Sequence, residues 1–157
     1  MKNRGKQFED RFKKDFEESV SNSTIFRLAD QVSYLKETSR NPCDFICFAN
    51  GFLYLTECKS THASTFNFNK LKQYDKLLPY SKRWHVHPIV VIWFEDYDEV
   101  LIVRIDSIKK MKDDGLKSIN VAKTDRNMYN IITVPSIKLR VFLKSDYTCI
   151  DKLKGDW

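Results

Sequence analysis

Asp44, Glu57 and Lys59 are the residues whose types and spacing point most directly to chemistry. All three fall in one stretch, NPCDFICFANGFLYLTECKS, from Asn41 to Ser60. Like charges placed directly opposite each other in a sheet are destabilising, by roughly 0.2–1 kcal/mol for exposed pairs. A purely structural hairpin would therefore tend to avoid such a match, and a bound divalent cation reverses its sign. Mg²⁺ takes oxygen ligands, typically one or two carboxylates with water and substrate phosphate completing the shell. The alternative at this point is an ion cluster at the end of a hairpin with no chemistry attached.

The positioning element is a β-hairpin. Asn50-Gly51 stands between two aromatic and β-branched runs, and a two-residue turn there needs φ > 0 at both central positions. Counting outward from that turn places Ala49 opposite Phe52, Phe48 opposite Leu53, Ile46 opposite Leu55 and Asp44 opposite Glu57. Because side chains alternate along a strand, Ile46, Phe48, Leu53 and Leu55 share one face, continued by Asp44, Glu57 and Lys59.

Upstream, Phe8, Phe12, Phe16 and Val20 recur every fourth position and predict an amphipathic helix from about Asn3 to Val20. Glu9 falls inside that apolar stripe, at about 100° from Phe8 on the α-helical period. A core-facing carboxylate needs a partner; the simplest is Lys13 at i+4. Gly5, one turn earlier, leaves room for another group to approach. Ile25 to Leu28 can form a first strand, leading into a polar segment through Pro42 that carries Arg27, Tyr34, Lys36 and Arg40. Basic residues interleaved with an aromatic are suited to a phosphate backbone or a splayed base, and equally to a solvated loop.

Downstream, Thr61 to Phe66 reads as a connector, and Asn67 as the N-cap of a helix from Phe68 to about Leu78, stopped by Pro79. Phe68, Leu71, Tyr74 and Leu78 supply its buried face, while Lys70, Lys72 and Lys76 lie off it and Gln73 flanks it. Ile89 to Phe94 is continuously apolar, as in a strand covered on both faces at the middle of a sheet. Val100 to Ile105 is the next strand, followed by a short helix from Ser107 to about Lys112, with Ile131 to Val134 and Lys138 to Leu143 as further candidate strands. His85 and His87 alternate just before the buried strand but lack a third soft ligand at zinc-site spacing.

With 157 residues, 42% of them hydrophobic, the chain has the size and composition of one globular domain and is not disordered. The formal charge of +6 suits a polyanionic partner. Cys43, Cys47, Cys58 and Cys149 have no CxxC spacing and read as reduced packing residues. No apolar run is long enough for a membrane helix, and the N-terminus has no apolar segment of signal-peptide type, which points to a cytoplasmic protein.

The order helix with Glu9, strand, hairpin with Asp44 and Glu57-Cys58-Lys59, helix with Gln73, buried strand resembles the PD-(D/E)XK nuclease superfamily. Pro42-Cys43-Asp44 and Glu57-Cys58-Lys59 carry the match. Within it, Gly5-Lys6-Gln7-Phe8-Glu9, the Asn-Gly hairpin and the Phe66 to Gln73 segment resemble RecU-type Holliday junction resolvases, including phage-encoded relatives, over roughly residues 5 to 95. Lys72 stands where that pattern usually has histidine, and Cys43 where it has threonine. The segment before the hairpin is also shorter than the projecting stalk of those resolvases.

The resemblance implies an α/β fold of restriction-endonuclease type: an α-β-β-β-α-β core with a central mixed sheet flanked by helices. The expected organisation is a single nuclease domain over 1–157, with its core at about 5–106 and a C-terminal elaboration at 107–157. It further implies a structure-selective endonuclease resolving four-way DNA junctions, acting as a homodimer with Mg²⁺, or Mn²⁺ as a substitute. Asp44, Glu57 and the Cys58 backbone carbonyl would hold the metal, with Glu9 completing the acidic site. Lys59 would act by electrostatic stabilisation or by orienting water, and Gln73 would hydrogen-bond the water or phosphate. Arg4, Lys6, Arg27, Tyr34, Lys36, Arg40, Lys70, Lys72 and Lys76 would meet DNA. The alternatives are a general or damage-directed duplex endonuclease of the same superfamily and a non-catalytic basic nucleic-acid-binding module.

Overall fold

Phe8, Phe12 and Phe16 wind onto one side of α1 (Arg4–Ser19), where all three are buried. The structure, a computed structural model, describes residues 3–28 and 41–146, the last two by backbone alone. Asn22, at φ 50, turns the chain into β1 (Thr24–Arg27). The hairpin follows as β2 (Phe45–Ala49) and β3 (Phe52–Thr61), joined by Asn50 at φ 53 and Gly51 at φ 81. Both turn residues thus adopt the left-handed conformation that the sequence pair favours. Its register has Ala49 opposite Phe52, Phe48 opposite Leu53 and Ile46 opposite Leu55, as counted from the turn.

Beyond it come β4 (Thr65–Asn67), a 3-10 turn at Phe68–Lys70, α2 (Tyr74–Leu77), a second 3-10 turn at Leu78–Lys82, and β5 (Val86–Phe94). The chain continues through β6 (Glu99–Arg104), α3 (Ile105–Asp113), β7 (Ser118–Asn120), β8 (Ile132–Pro135) and α4 (Leu139–Asp146). The main sheet has the order β1-β2-β3-β5-β6-β8. It is mixed: β3 and β5 run parallel at its centre, and the other pairs are antiparallel.

Alternation along β3 and β5 separates two cores. Tyr54 and Cys58, with Ile89 and Val91, face α1 and α4 through Phe8, Phe12, Phe16, Leu139 and Leu143. Leu55, Val90 and Ile92 face the opposite way, toward Leu71, Leu77, Ile105, Ile108 and Met111 of the α2–α3 side.

Three expectations from the sequence are corrected. The helix read from Phe68 to Leu78 is broken into a 3-10 turn, a four-residue α2 and another 3-10 turn. The connector before it is drawn into a small sheet by β4 pairing with β7, and the Phe68 amide donates to Lys117 O at 3.0 Å, away from the helical path. Asn67 does cap, accepting from the Asn69 amide, but Pro79 sits in the first turn of the second 3-10 segment and does not end the structure. The candidate strand Lys138 to Leu143 is instead a 3-10 turn running into α4. Leu139 and Leu143 are buried one helical turn apart while Val141 is 65% exposed, a period of four and not of two.

Candidate active site

Glu57 takes its position from the register of β3, whose central placement in the sheet buries it completely. It pairs in Cα register with Val90, so its side chain leaves the sheet on the α2–α3 face; Lys59, paired with Ile92, leaves on the same face. Lys59 Nζ lies 2.5 Å from Glu57 Oε1, while Oε2 is buried with no hydrogen-bond partner among the described residues. Burial, then the negative charge of Asp44, push the Glu57 carboxyl up to about 7; Lys59 opposes the shift, and Glu9 adds slightly to it.

Asp44 lies one residue outside β2. The hairpin continues to it through a hydrogen bond from the Asp44 amide to Thr56 O at 3.1 Å. Its Oδ2 accepts from the Cys58 amide at 2.8 Å, which holds the carboxylate across the start of the Glu57-Cys58-Lys59 segment. The two acids expected to face each other are therefore neighbours, with Asp44 anchored by backbone. Cys43 and Cys58, flanking them, are buried and free, and burial raises both thiols, Cys43 to about 12. Cys47 is likewise buried, its Sγ 3.6 Å from Thr56 Oγ1, so these three are packing residues; Cys149 lies outside the described residues.

Glu9 stands on α1, which covers the Tyr54 and Cys58 face, opposite the one Glu57 leaves from, and its charge acts only weakly on Glu57. Glu9 Oε2 is 3.5 Å from Arg27 Nη2, and Arg27 Nη1 is 2.8 Å from Asp10. The expected Lys13 partner is taken up by Glu17 at 2.5 Å. Arg27, 18 residues away in sequence, becomes a neighbour only through the packing of β1 beneath α1, a tertiary contact that helix spacing does not reveal. The gap at Gly5 is used by no close neighbour: a β-carbon there would meet only Asn3 Oδ1, at 3.4 Å.

Gln73 forms the N-terminal boundary of α2, and its Oε1 is buried without a hydrogen-bond partner among the described residues. Lys6, Lys70, Lys72 and Lys76 are exposed. Arg4 is exposed and turned onto the end of the sheet, 2.7 Å from His62 Nε2 and 3.3 Å from Glu95, while His62 Nδ1 is 2.8 Å from Asp96. Tyr34, Lys36 and Arg40 lie outside the described residues. His85 is exposed at φ 57, and His87 is buried against the rings of Phe52 and Tyr54.

Among the described residues no group of three or more His, Cys, Asp or Glu side chains could by itself hold a metal ion. The donor set nevertheless fits a hard cation that completes its shell with water and phosphate. A wholly buried carboxylate retains an oxygen without a partner, a second carboxylate is fixed beside it, and an ammonium occupies one flank. No helix among the described residues is long and apolar enough to cross a membrane.

Comparison with known proteins bears on this arrangement. Residues 6–145 match the family RecU, described as Recombination protein U. Among solved structures, the chain is similar to the 1.6 Å structure of Archaeoglobus fulgidus Hjc, a Holliday junction resolvase from an archaeal hyperthermophile. The two are 12% identical with a TM-score of 0.53, over 75% of this chain and 89% of that one. At that identity the likeness is one of fold, and it bears out the restriction-endonuclease-like core expected from the sequence. No curated protein sequence matches.

Proposed function

Because the chain belongs to the Recombination protein U family, we propose that it is a metal-dependent endodeoxyribonuclease that resolves four-way DNA junctions by paired phosphodiester hydrolysis. The observation that carries the reading is the buried Glu57 carboxyl, pushed up to about 7, with Asp44 beside it and Lys59 at 2.5 Å. Two carboxylates held side by side in a buried site are favoured in their charged forms by a cation between them. In this reading all 157 residues form one nuclease domain, which acts in the cytoplasm as a homodimer. A two-fold dimer supplies two sites to a two-fold junction.

Asp44, Glu57 and the Cys58 backbone carbonyl would hold Mg²⁺, or Mn²⁺ in its place. When bound, the ion supplies a water of lowered pKa and polarises the phosphate. Asp44, tied to the Cys58 amide, keeps its carboxylate oriented without reorganisation. Lys59 places its positive charge on the Glu57 side of the phosphate, where it stabilises the charge growing on the phosphate oxygens as water adds to phosphorus and one P–O ester bond breaks. Glu9 contributes negative charge from behind the sheet, tempered by Arg27. Gln73 offers its side-chain amide to the water or phosphate.

The test is a labelled mobile four-way junction beside a linear duplex of the same sequence, each with and without Mg²⁺. Paired, symmetric nicks on the junction alone support the reading. Equal cutting of the duplex replaces it with a general nuclease, and salt-sensitive binding without cutting replaces it with a binding module.

A further inference from the structure

Trp84 is 87% exposed, the most exposed of the large hydrophobic side chains among the described residues. Leaving an indole in water forgoes its large burial energy; exposed apolar side chains scattered singly are ordinary, and one carries an argument only when its surroundings are ordered. Here they are. The Trp84 ring meets His85 edge-on at 5.0 Å, and His85 stacks on Phe52 at 4.9 Å with planes 30° apart. Phe52 in turn contacts buried His87 at 5.2 Å. A run of rings thus passes from solvent into the core.

The backbone beneath is equally fixed. His85 holds the left-handed conformation at φ 57, uncommon for a residue other than glycine. Its carbonyl accepts from the Leu53 amide at 2.8 Å, and the Arg83 carbonyl accepts from the Val86 amide at 3.2 Å. Lys82 and Arg83, immediately before the indole, are both exposed, and neither forms an ion pair among the described residues. An exposed aromatic face with two exposed cations just before it in the chain is a combination by which proteins bind unpaired nucleotides: the ring stacks on a base and the cations meet the flanking phosphates. A purely apolar partner would leave Lys82 and Arg83 facing nothing, so the charge favours nucleic acid over a second copy of this chain.

Position links this platform to the active site. Leu53, bonded to His85, precedes Glu57 by four residues on β3, or about 13 Å at strand rise. That span matches about four nucleotide steps along one strand.

We propose that Trp84, with Lys82 and Arg83, is a stacking platform for an unpaired or splayed base about four nucleotides from the phosphate being cut. The inference rests on the reading of the site as a DNA nuclease and adds a base-contacting element remote from the carboxylates.

The test compares the parent with Trp84→Ala and Trp84→Phe in metal-free buffer. Binding of a single-stranded oligothymidylate, a blunt duplex and a four-way junction is read by fluorescence anisotropy. Loss of one base–aromatic stack predicts affinity for the single strand about 10-fold lower in Trp84→Ala, largely restored in Trp84→Phe, with duplex affinity changed much less. Melting temperatures unchanged from the parent establish that the fold is intact. Single-strand and junction affinities equal to the parent's overturn the proposal, as does loss of self-association in Trp84→Ala with DNA binding unaltered. A parent that binds single strands through Trp84 but cuts no DNA leaves the platform standing and removes the nuclease reading. A parent that cuts junctions while Trp84→Ala binds normally does the reverse.

Discussion

Lys59 Nζ lies 2.5 Å from Glu57 Oε1, yet the Glu57 carboxyl is still pushed up to about 7. One ammonium therefore does not offset complete burial and the neighbouring Asp44. Glu57→Gln keeps the shape and removes the charge, so in chelator at pH 8 the variant is expected to be more stable than the parent by about 1–3 kcal/mol. It should also no longer cut DNA. Urea unfolding checks the first expectation, and an unchanged or lower midpoint with the same slope contradicts it.

The pH dependence has a fixed sign. Between about 4.5, the ordinary value, and about 7, native Glu57 keeps a proton that the unfolded chain releases. The native state binds more protons in that window, so this group's contribution to stability is complete below about 4.5 and is lost as pH rises to about 7. The stability advantage of Glu57→Gln should accordingly grow from pH 5 to 8 in metal-free buffer. A difference that stays constant with pH removes the burial of Glu57 from the account.

Metal binding should run the opposite way. An ion at Asp44 and Glu57 must displace the Glu57 proton below about pH 7, so the rise in melting temperature on adding Mg²⁺ is expected to be larger at pH 8 than at pH 6. It should be absent in Glu57→Gln. An equal rise at both pH values would place the ion elsewhere.

These predictions rest on a site that was only partly legible in the sequence. Asn50-Gly51 fixes the hairpin register by turn geometry, a local property, so the proximity of Asp44 and Glu57 follows from counting residues outward from the turn. The four-residue spacing of Phe8, Phe12 and Phe16 and the unbroken run Ile89 to Phe94 likewise declare α1 and β5. Glu9 was harder: its partner Arg27 comes from another element, and only the packing of β1 brings them together. The Phe68 to Leu78 pattern looked helical because Phe68, Leu71 and Tyr74 have helical spacing, but pairing of β4 with a three-residue β7 outweighed that preference. So short a strand as Ser118–Asn120 carries no periodicity of its own. Trp84 offered no pattern at all, since its meaning lies in exposure and in rings that are distant in sequence.

Lys59→Met removes the ammonium while preserving much of the aliphatic stem. The loss of a charge aimed at the developing phosphate oxyanion should lower single-turnover cutting by about 10²–10³-fold, with junction affinity in chelator little changed. Cutting within a few-fold of the parent's would mean that Lys59 serves only to accompany Glu57.

Phe12 is fully buried between α1 and the sheet, with ring contacts to Phe16 and Phe45. Phe12→Ala should cost about 3–5 kcal/mol in urea unfolding, because α1 covers the strand that carries Glu57. A loss below 1 kcal/mol would show that α1 is not seated as described.

The central claim is that Asp44 and Glu57 together form the cutting site of a junction resolvase. Its most direct measurement is the cleavage of a labelled four-way junction in Mg²⁺ by the parent, Asp44→Ala and Glu57→Ala, with junction binding measured in parallel in chelator. Paired symmetric nicks by the parent, together with no nicks but near-parental binding by both variants, are the predicted result. Nicking that persists in either variant would contradict the account.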